Sequence, residues 1–144
     1  MNILSRIINV VILAIILTYI AAMKMKCGYC TNIPETTYVT TLSTIILIQV
    51  FLFALFPKQA RSFLISNKWF ILVLLVINVA NMLYLYRFIE KMNDSQCRQC
   101  SSEWRRTFLY YYSTFVLIIY AINIVLLVLM FPFIFNSAAK HRKH

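Results

Sequence analysis

Glycine is nearly absent from this sequence of 144 residues, and charge is absent from the middle of its apolar runs. The one glycine, Gly28, lies between two such runs, which excludes GxxxG helix packing and the glycine-broken helices of transporters. Proton relays, voltage sensors and ion-coupled transport need charged side chains within a span. The sequence also lacks a Ser-His-Asp grouping, a carboxylate pair, a phosphate-binding loop and a His-rich metal signature. These absences argue against a transporter, a channel or a common hydrolase.

Composition indicates a membrane protein. Hydrophobic residues make up 62% of the chain, the mean hydropathy is +0.78 and only 12% of residues are charged, whereas soluble domains carry about 25% charged residues. The runs are long enough for helices that cross a hydrocarbon core of about 30 Å. We expect an all-α, polytopic protein whose four transmembrane helices form one bundle over residues 1–144. The predicted helices cover about 3–23, 36–56, 69–88 and 103–131, and a basic tail covers 136–144.

The net charge of +10 flanks these spans instead of forming a clustered basic face. Lys and Arg at span ends reach towards anionic lipid headgroups, so we expect the lipid bilayer and anionic headgroups as partners, and no nucleic acid. The first run follows Arg6 and could be mistaken for a signal peptide. It is longer than the usual apolar region of such a peptide and ends at Lys24 and Lys26, so we expect it to be retained.

All four cysteines lie in two CxxC motifs between apolar runs. Cys27-Gly28-Tyr29-Cys30 and Cys97-Arg98-Gln99-Cys100 are 70 positions apart. Other pairs follow a similar offset: Ser43-Thr44 with Ser113-Thr114, Ile8-Asn9-Val10 with Ile77-Asn78-Val79, and Phe56-Pro57 with Phe131-Pro132. Apolar segments also match one another by coincidence. If the pattern is a duplication, it predicts two tandem helical hairpins with the same orientation, a parallel repeat, and both CxxC loops on one face of the membrane.

The sequence places both termini on one side of the membrane and the CxxC loops on the other. Lys and Arg are divided evenly between the two sides, seven on each, so the positive-inside rule gives no orientation. All four acidic residues lie on the cysteine side: Glu35, Glu90, Asp94 and Glu103. Acidic residues contribute little to orientation, so this favours cytosolic termini only weakly.

Three kinds of chemistry are open to the four cysteines. Four thiolates from two CxxC turns can bind one Zn²⁺ tetrahedrally, which makes Cys27, Cys30, Cys97 and Cys100 candidate metal ligands. The same residues can instead form structural disulfides if their face is extracytoplasmic. The third possibility is redox catalysis, in which the four cysteines would be the catalytic residues.

The redox alternative comes from a resemblance of layout. Four helices with two cysteine pairs on one membrane face resemble the bacterial quinone-linked disulfide-forming proteins and the vitamin K epoxide reductases. The resemblance implies one pair that exchanges electrons with a quinone and one that relays them to a partner protein, with Cys97 and Cys100 on the quinone side. It covers topology only, because the bacterial family carries an Arg shortly after its first CxxC and residues 31–37 contain none.

Four amides fall at similar depth within the predicted spans: Asn9, Gln49, Asn78 and Asn123. Such amides either line a polar pocket for a quinone headgroup or lipid, or join helices through hydrogen bonds worth about 0.6 kcal/mol each. The second role is commoner in membrane proteins. We therefore expect these four residues to connect helices.

The function that this sequence favours is non-catalytic. We expect a small integral membrane protein, a structural or assembly subunit that meets other proteins of a membrane complex, with loops clamped by zinc or disulfides. Richness in Ile, Asn, Phe and Tyr suggests an AT-rich genome and a viral or organellar membrane. The alternatives are a quinone-linked membrane thiol-disulfide oxidoreductase and an anionic-lipid-binding or trafficking module built on the tail at 140–144.

Overall fold

The computed structural model describes residues 3–94, 96–100 and 102–141, and these residues form helices joined by short loops. The five helices are α1 (Ile3–Lys26), α2 (Pro34–Leu55), α3 (Pro57–Ser66), α4 (Lys68–Met92) and α5 (Trp104–His141). Four segments are long and apolar enough to cross a membrane: α1, α2, α4 and the part of α5 from Trp104 to Phe133. The predicted all-α architecture with four spans is confirmed.

Prolines define both ends of α2. Ile33 has an extended backbone (φ −127°, ψ 150°) before Pro34, as expected for a residue that precedes proline. Pro34 opens α2, where a missing N–H costs nothing. Ile33 occupies the N-cap position, and no side chain caps α2. Pro57 removes Phe56 from the helix (φ −123°, ψ 61°) and then opens α3.

Two predicted boundaries differ from the structure. The predicted helix bounds leave residues 57–68 between two helices, but residues 57–66 form α3, and Lys68 begins α4 after Asn67. The predicted end of the last span at Phe131-Pro132 is wrong, since α5 continues through Pro132 to His141. Proline deprives the carbonyl of Val128 of its helical partner, but apolar residues follow it. In lipid a helix is the structure that satisfies their remaining backbone groups. Within the predicted tail at 136–144, residues 142–144 lie outside the described part.

The four spans form a ring in the order α1, α2, α4, α5. Helix α1 packs beside α2 and α5, and α4 packs beside the same two helices, while α3 bridges α2 and α4. The two hairpins, α1–α2 and α4–α5, therefore lie side by side as predicted. The order of the ring is compatible with a twofold axis between the hairpins, but α2 packs against α4 far more extensively than α1 packs against α5.

Buried residues are concentrated in the half of the bundle that adjoins the cysteine loops. On α1 they begin at Leu13, on α2 they end at Ile46, on α4 they begin at Asn81 and on α5 they end at Ser113. Residues 3–12, 47–80 and 114–133 include no buried position. We call the cysteine half the packed end and the opposite half the open end. The four spans therefore bury side chains at one end only, and at the open end α3 contacts α2 and α4 without burying a residue.

Replacing Leu85 with alanine should destabilise the packed end. Leu85 is fully buried on α4, while Leu83 on the same helix is 48% exposed. Leu85→Ala leaves a cavity, and we expect a loss of about 2 kcal/mol, the lower end of the range for water-soluble cores, because lipid replaces water in the unfolded state. Unfolding by SDS in mixed micelles measures the loss. Leu83→Ala is the matched control with an expected change below about 0.5 kcal/mol, and equal losses would contradict the packing described here.

Candidate functional site

Two disulfides join the α1–α2 loop to the α4–α5 loop. Cys27 bonds to Cys100 and Cys30 bonds to Cys97, with Cα–Cα distances of 6.1 and 6.0 Å. Neither CxxC motif closes on itself. The predicted meeting of both loops on one face is therefore present, and we call the two loops with their disulfides the cap.

The local backbone explains why the sulfurs of each motif lie on one side. Cys27 N–H donates to the Met23 carbonyl at 2.7 Å, and Cys30 N–H donates to the Cys27 carbonyl at 2.9 Å, so the first motif continues α1 as a tight turn. In the second motif Cys97 N–H donates to the Asp94 carbonyl at 3.0 Å. In turns of this kind residues three apart share a face, so each loop presents two sulfurs to the other loop.

All four cysteines form disulfides in the structure. Zinc binds thiolates, and the sulfurs of Cys27, Cys30, Cys97 and Cys100 are all oxidised. A zinc site at these residues would therefore require the reduced chain, and it stays a prediction. Elsewhere in the described ranges, no group of three or more Cys, His, Asp or Glu side chains is placed to hold a metal ion.

The first loop is the buried side of the cap. Cys27 is fully buried and Cys30 is 6% exposed, whereas Cys97 and Cys100 are half-buried. Beneath them lies a cluster of buried side chains that includes Tyr19, Met23, Phe88, Met92 and Leu109. Each disulfide therefore has one sulfur that solvent hardly reaches and one that it reaches in part.

Tyr29 adds a further contact between the two loops. Its hydroxyl donates to the Gln96 carbonyl at 3.2 Å and lies 4.0 Å from the Sγ of Cys100. The hydroxyl thus lies beside the sulfur of Cys100, the less buried cysteine of the Cys27–Cys100 disulfide. Tyr29 itself is exposed, so this contact lies on the outer surface of the cap.

Charged residues surround the cap and join neighbouring helices. Lys91 Nζ on α4 donates to Glu35 Oε1 on α2 at 2.7 Å. Arg105 on α5 forms an ion pair with Glu103 at 2.6 Å, and its guanidinium lies 5.9 Å from the ring centroid of Tyr19 on α1. Sequence analysis did not find the Glu35–Lys91 pair, because its members are 56 positions apart and no spacing rule connects them.

A small polar cavity of about 90 Å³ lies inside the bundle, and its polar lining consists of Asn9, Asn78, Asn81 and Tyr112. Asn9 and Asn78 were among the predicted amides. Asn123 instead is exposed and donates to the carbonyl of Ile119 at 2.9 Å in its own helix. Gln49 is half-buried, and its Oε1 has no hydrogen-bond partner among the described residues. Asn78 likewise donates to the carbonyl of Leu74 in its own helix at 2.8 Å. Among the described residues, no hydrogen bond of these four amides joins two helices, so the predicted connecting role is not seen in them.

The residue that sequence analysis missed in this region is Asn81. It is fully buried, and its Oδ1 accepts a hydrogen bond from the Ser43 hydroxyl at 3.2 Å. Asn81 is three positions after Asn78 and therefore shares its helix face, which was the available signal. The bond connects α4 to α2 inside the apolar core, the connecting role that we expected of the amides.

The disulfide pairing is compatible with the predicted repeat but is no test of it, because each of the three possible connectivities keeps the same symmetry. The offset of 70 converts Cys27 to Cys97 and Cys30 to Cys100, so the bond Cys27–Cys100 becomes the bond Cys97–Cys30. Ser43 and Ser113 are both fully buried, but Ser43 donates to Asn81 on another helix whereas Ser113 donates to the Tyr110 carbonyl of its own helix. Asn9 and Asn78, at an offset of 69, line one cavity. Pro57 and Pro132 differ, because one begins a helix and the other lies within one. Duplication itself stays a prediction.

Proteolysis of the unreduced chain should reveal the cross-pairing directly. Trypsin cleaves after Lys26, Lys58, Lys91, Arg98 and Arg105, and thus separates Cys97 from Cys100. With thiols blocked before denaturation, mass spectrometry should find peptides 27–58, 92–98 and 99–105 in one covalent species. Chymotrypsin, which cleaves after Tyr29, should then release Cys27 joined to the Cys100 peptide. A 27–58 peptide with an internal disulfide, beside 92–98 joined to 99–105, would contradict the pairing.

Comparison of the chain with protein-family models, with curated proteins and with solved structures gave no match. The quinone-linked families that the layout resembles therefore receive no support from these comparisons. The four apolar spans and the cross-linked cap are the features on which a functional conclusion rests.

Proposed function

We propose that this chain is a non-catalytic integral membrane protein, a structural or assembly subunit whose cap holds two helical hairpins in a fixed arrangement. The observation that carries the proposal is the pairing of the disulfides. Each one connects the two hairpins: Cys27–Cys100 attaches the end of α1 to the start of α5, and Cys30–Cys97 attaches the start of α2 to the end of α4. A pair of this kind prevents both separation and relative rotation of the hairpins at this end.

Burial of the sulfurs supports a structural role over thiol exchange. Exchange requires a thiolate to reach a disulfide sulfur in line with the bond, so its rate depends on access. Cys27 and Cys30 are buried against the core, and Tyr29 lies beside Cys100. A relay between two CxxC pairs passes through one disulfide between the pairs while the other two thiols are free, whereas here both cysteines of each motif are bonded to the other motif.

The end of the last span supports a role in assembly. From Ala121 to Phe133 every position of α5 is exposed in the isolated chain, and all but Asn123 and Pro132 are apolar. A bundle that satisfied itself would cover part of this surface with its own helices. We propose that the surface is shared between lipid and the spans of neighbouring subunits.

Disulfides also supply an orientation. They persist in oxidising compartments and are rare in the cytosol, so we propose that the cap faces the lumen or the outside and that both termini face the cytosol. The open end carries basic residues and no acidic residue, which suits the anionic cytoplasmic leaflet. A protease added to sealed vesicles or cells should accordingly remove a C-terminal tag only when the cytosolic face is accessible, and removal from the opposite face would overturn this orientation.

Removing one disulfide should lower the free energy of unfolding, and under this proposal there is no enzymatic activity for it to change. For Cys30→Ser combined with Cys97→Ser, we expect a loss of about 2–4 kcal/mol, since the cross-link restricts the unfolded chain. SDS unfolding measures the loss, and pull-down of co-expressed membrane proteins measures assembly. The pair Cys27→Ser with Cys100→Ser is the matched test of the other bond and should behave alike, because the two bonds occupy equivalent positions.

The oxidoreductase alternative makes the opposite prediction for the same variants. If the chain were an enzyme, the wild type would reduce a quinone at the expense of a dithiol, and the variants would lose that turnover while retaining their fold. We expect no turnover above background in the wild type. Quinone-dependent thiol oxidation that disappears in both variants, with unfolding curves unchanged, would contradict the structural role.

A further inference from the structure

A large groove opens at the end of the molecule opposite to the cap. It lies where α3 bridges α2 and α4, and it has a volume of about 1270 Å³. Four cationic side chains line it, Arg6 from α1, Lys58 and Arg61 from α3, and Lys68 from α4. We call it the basic groove. Its size exceeds the roughly 300–1,000 Å³ of a pocket for a compact small molecule, so it has room for an extended ligand.

The groove has a cationic part and an apolar wall, and both follow from the sequence. On α3, Pro57, Ala60, Arg61 and Leu64 follow one another at helical spacing and all line the groove, so one face of this short helix points into it. The apolar wall continues along the neighbouring spans with Phe53, Ile71, Leu72 and Leu75. From Lys68 to Leu75 the helix rises about 10 Å. The cations thus lie at the membrane boundary and the apolar wall extends into the hydrocarbon.

No acidic side chain balances these cations. The four acidic residues of the sequence are Glu35 and three residues between 90 and 103, all beside the cap. None of the four groove cations forms an ion pair with a described residue. Arg6 has an unfavourable environment, since its Nε is buried and has no hydrogen-bond partner within the described ranges. A buried donor without an acceptor is costly, and a phosphate oxygen is a strong acceptor for a guanidinium.

We propose that the basic groove is a binding site for one anionic phospholipid. The phosphate group is held by Arg6, Arg61 and Lys68, with Lys58 at the rim, and an acyl chain lies along Leu72 and Leu75. Basic pockets between spans bind anionic headgroups in this manner, and the first residues of α3 and α4 add the positive ends of two helix dipoles. The site lies outside the cap and does not depend on the disulfides or on the structural role.

Native mass spectrometry of the full chain in a neutral detergent tests the site. We expect the wild type to retain added phosphatidylglycerol at least 10-fold better than phosphatidylcholine with the same acyl chains. Arg61→Gln combined with Lys68→Gln removes two cations and should weaken retention of phosphatidylglycerol about 25-fold. Lys24→Gln combined with Lys26→Gln is the control, because it makes the same change in net charge at the exposed start of the cap, and it should leave retention unchanged.

Two further measurements separate a lipid from other occupants. Leu75→Trp fills the apolar wall without a change in charge and should lower retention of phosphatidylglycerol, whereas inorganic phosphate at the lipid concentration should not displace it. Displacement by inorganic phosphate would indicate a free-anion site instead of a lipid site. Equal retention of the two lipids by the wild type, or equal losses in the groove and control variants, would overturn the proposal. The wild-type comparison remains decisive if a groove variant fails to fold.

Discussion

Lipid surrounds these helices, so burial of apolar side chains gives little net drive for one span to pack against another. Association must come from close packing, hydrogen bonds and covalent links. Two inter-loop disulfides supply the covalent links at one end of the molecule. The buried Ser43–Asn81 hydrogen bond, the Glu35–Lys91 ion pair and the Arg105–Tyr19 contact all occur in the same half. The cross-link is the constraint on which this arrangement depends.

The distribution of burial follows from that constraint. Close packing extends from the cap to about Leu13, Ile46, Asn81 and Ser113, and beyond these positions the helices expose their sides. A bundle that is cross-linked at one end remains stable with an open opposite half, because lipid fills the space between its helices. The basic groove occupies part of this space. Structural attachment and lipid contact are thus assigned to opposite ends of one small protein.

Apolar run length alone predicts the four spans, since residues without charge over about 20 positions have few other stable conformations. The two CxxC motifs likewise predict which loops meet. The pairing of the sulfurs does not follow, because four cysteines allow three connectivities and only the positions of the loops distinguish them. Zinc and disulfide forms could not be separated either, since both need the same four sulfurs close together.

The remaining differences have local causes that sequence patterns do not contain. Phe56-Pro57 and Phe131-Pro132 read alike, yet one precedes the polar residues of α3 and the other precedes more apolar residues, so only the first ends a helix. Glu35 forms an ion pair with Lys91 because α2 and α4 are neighbours in the ring, and this neighbourhood is a property of the tertiary structure. Asn81 differs from Asn123 only in the direction it faces, one towards Ser43 and the other towards the outside.

Because the disulfides join the two hairpins at the cap, a small tilt of a span there produces a larger displacement at its opposite end. A span is about 30 Å long, so a tilt of about 5° at the disulfides moves its far end by about 3 Å. Two disulfides restrain sliding and rotation at the cap, while at the far end only α3 connects two of the four spans, α2 and α4. The distance between the ends of the spans opposite to the cap therefore depends on the molecules that lie between them.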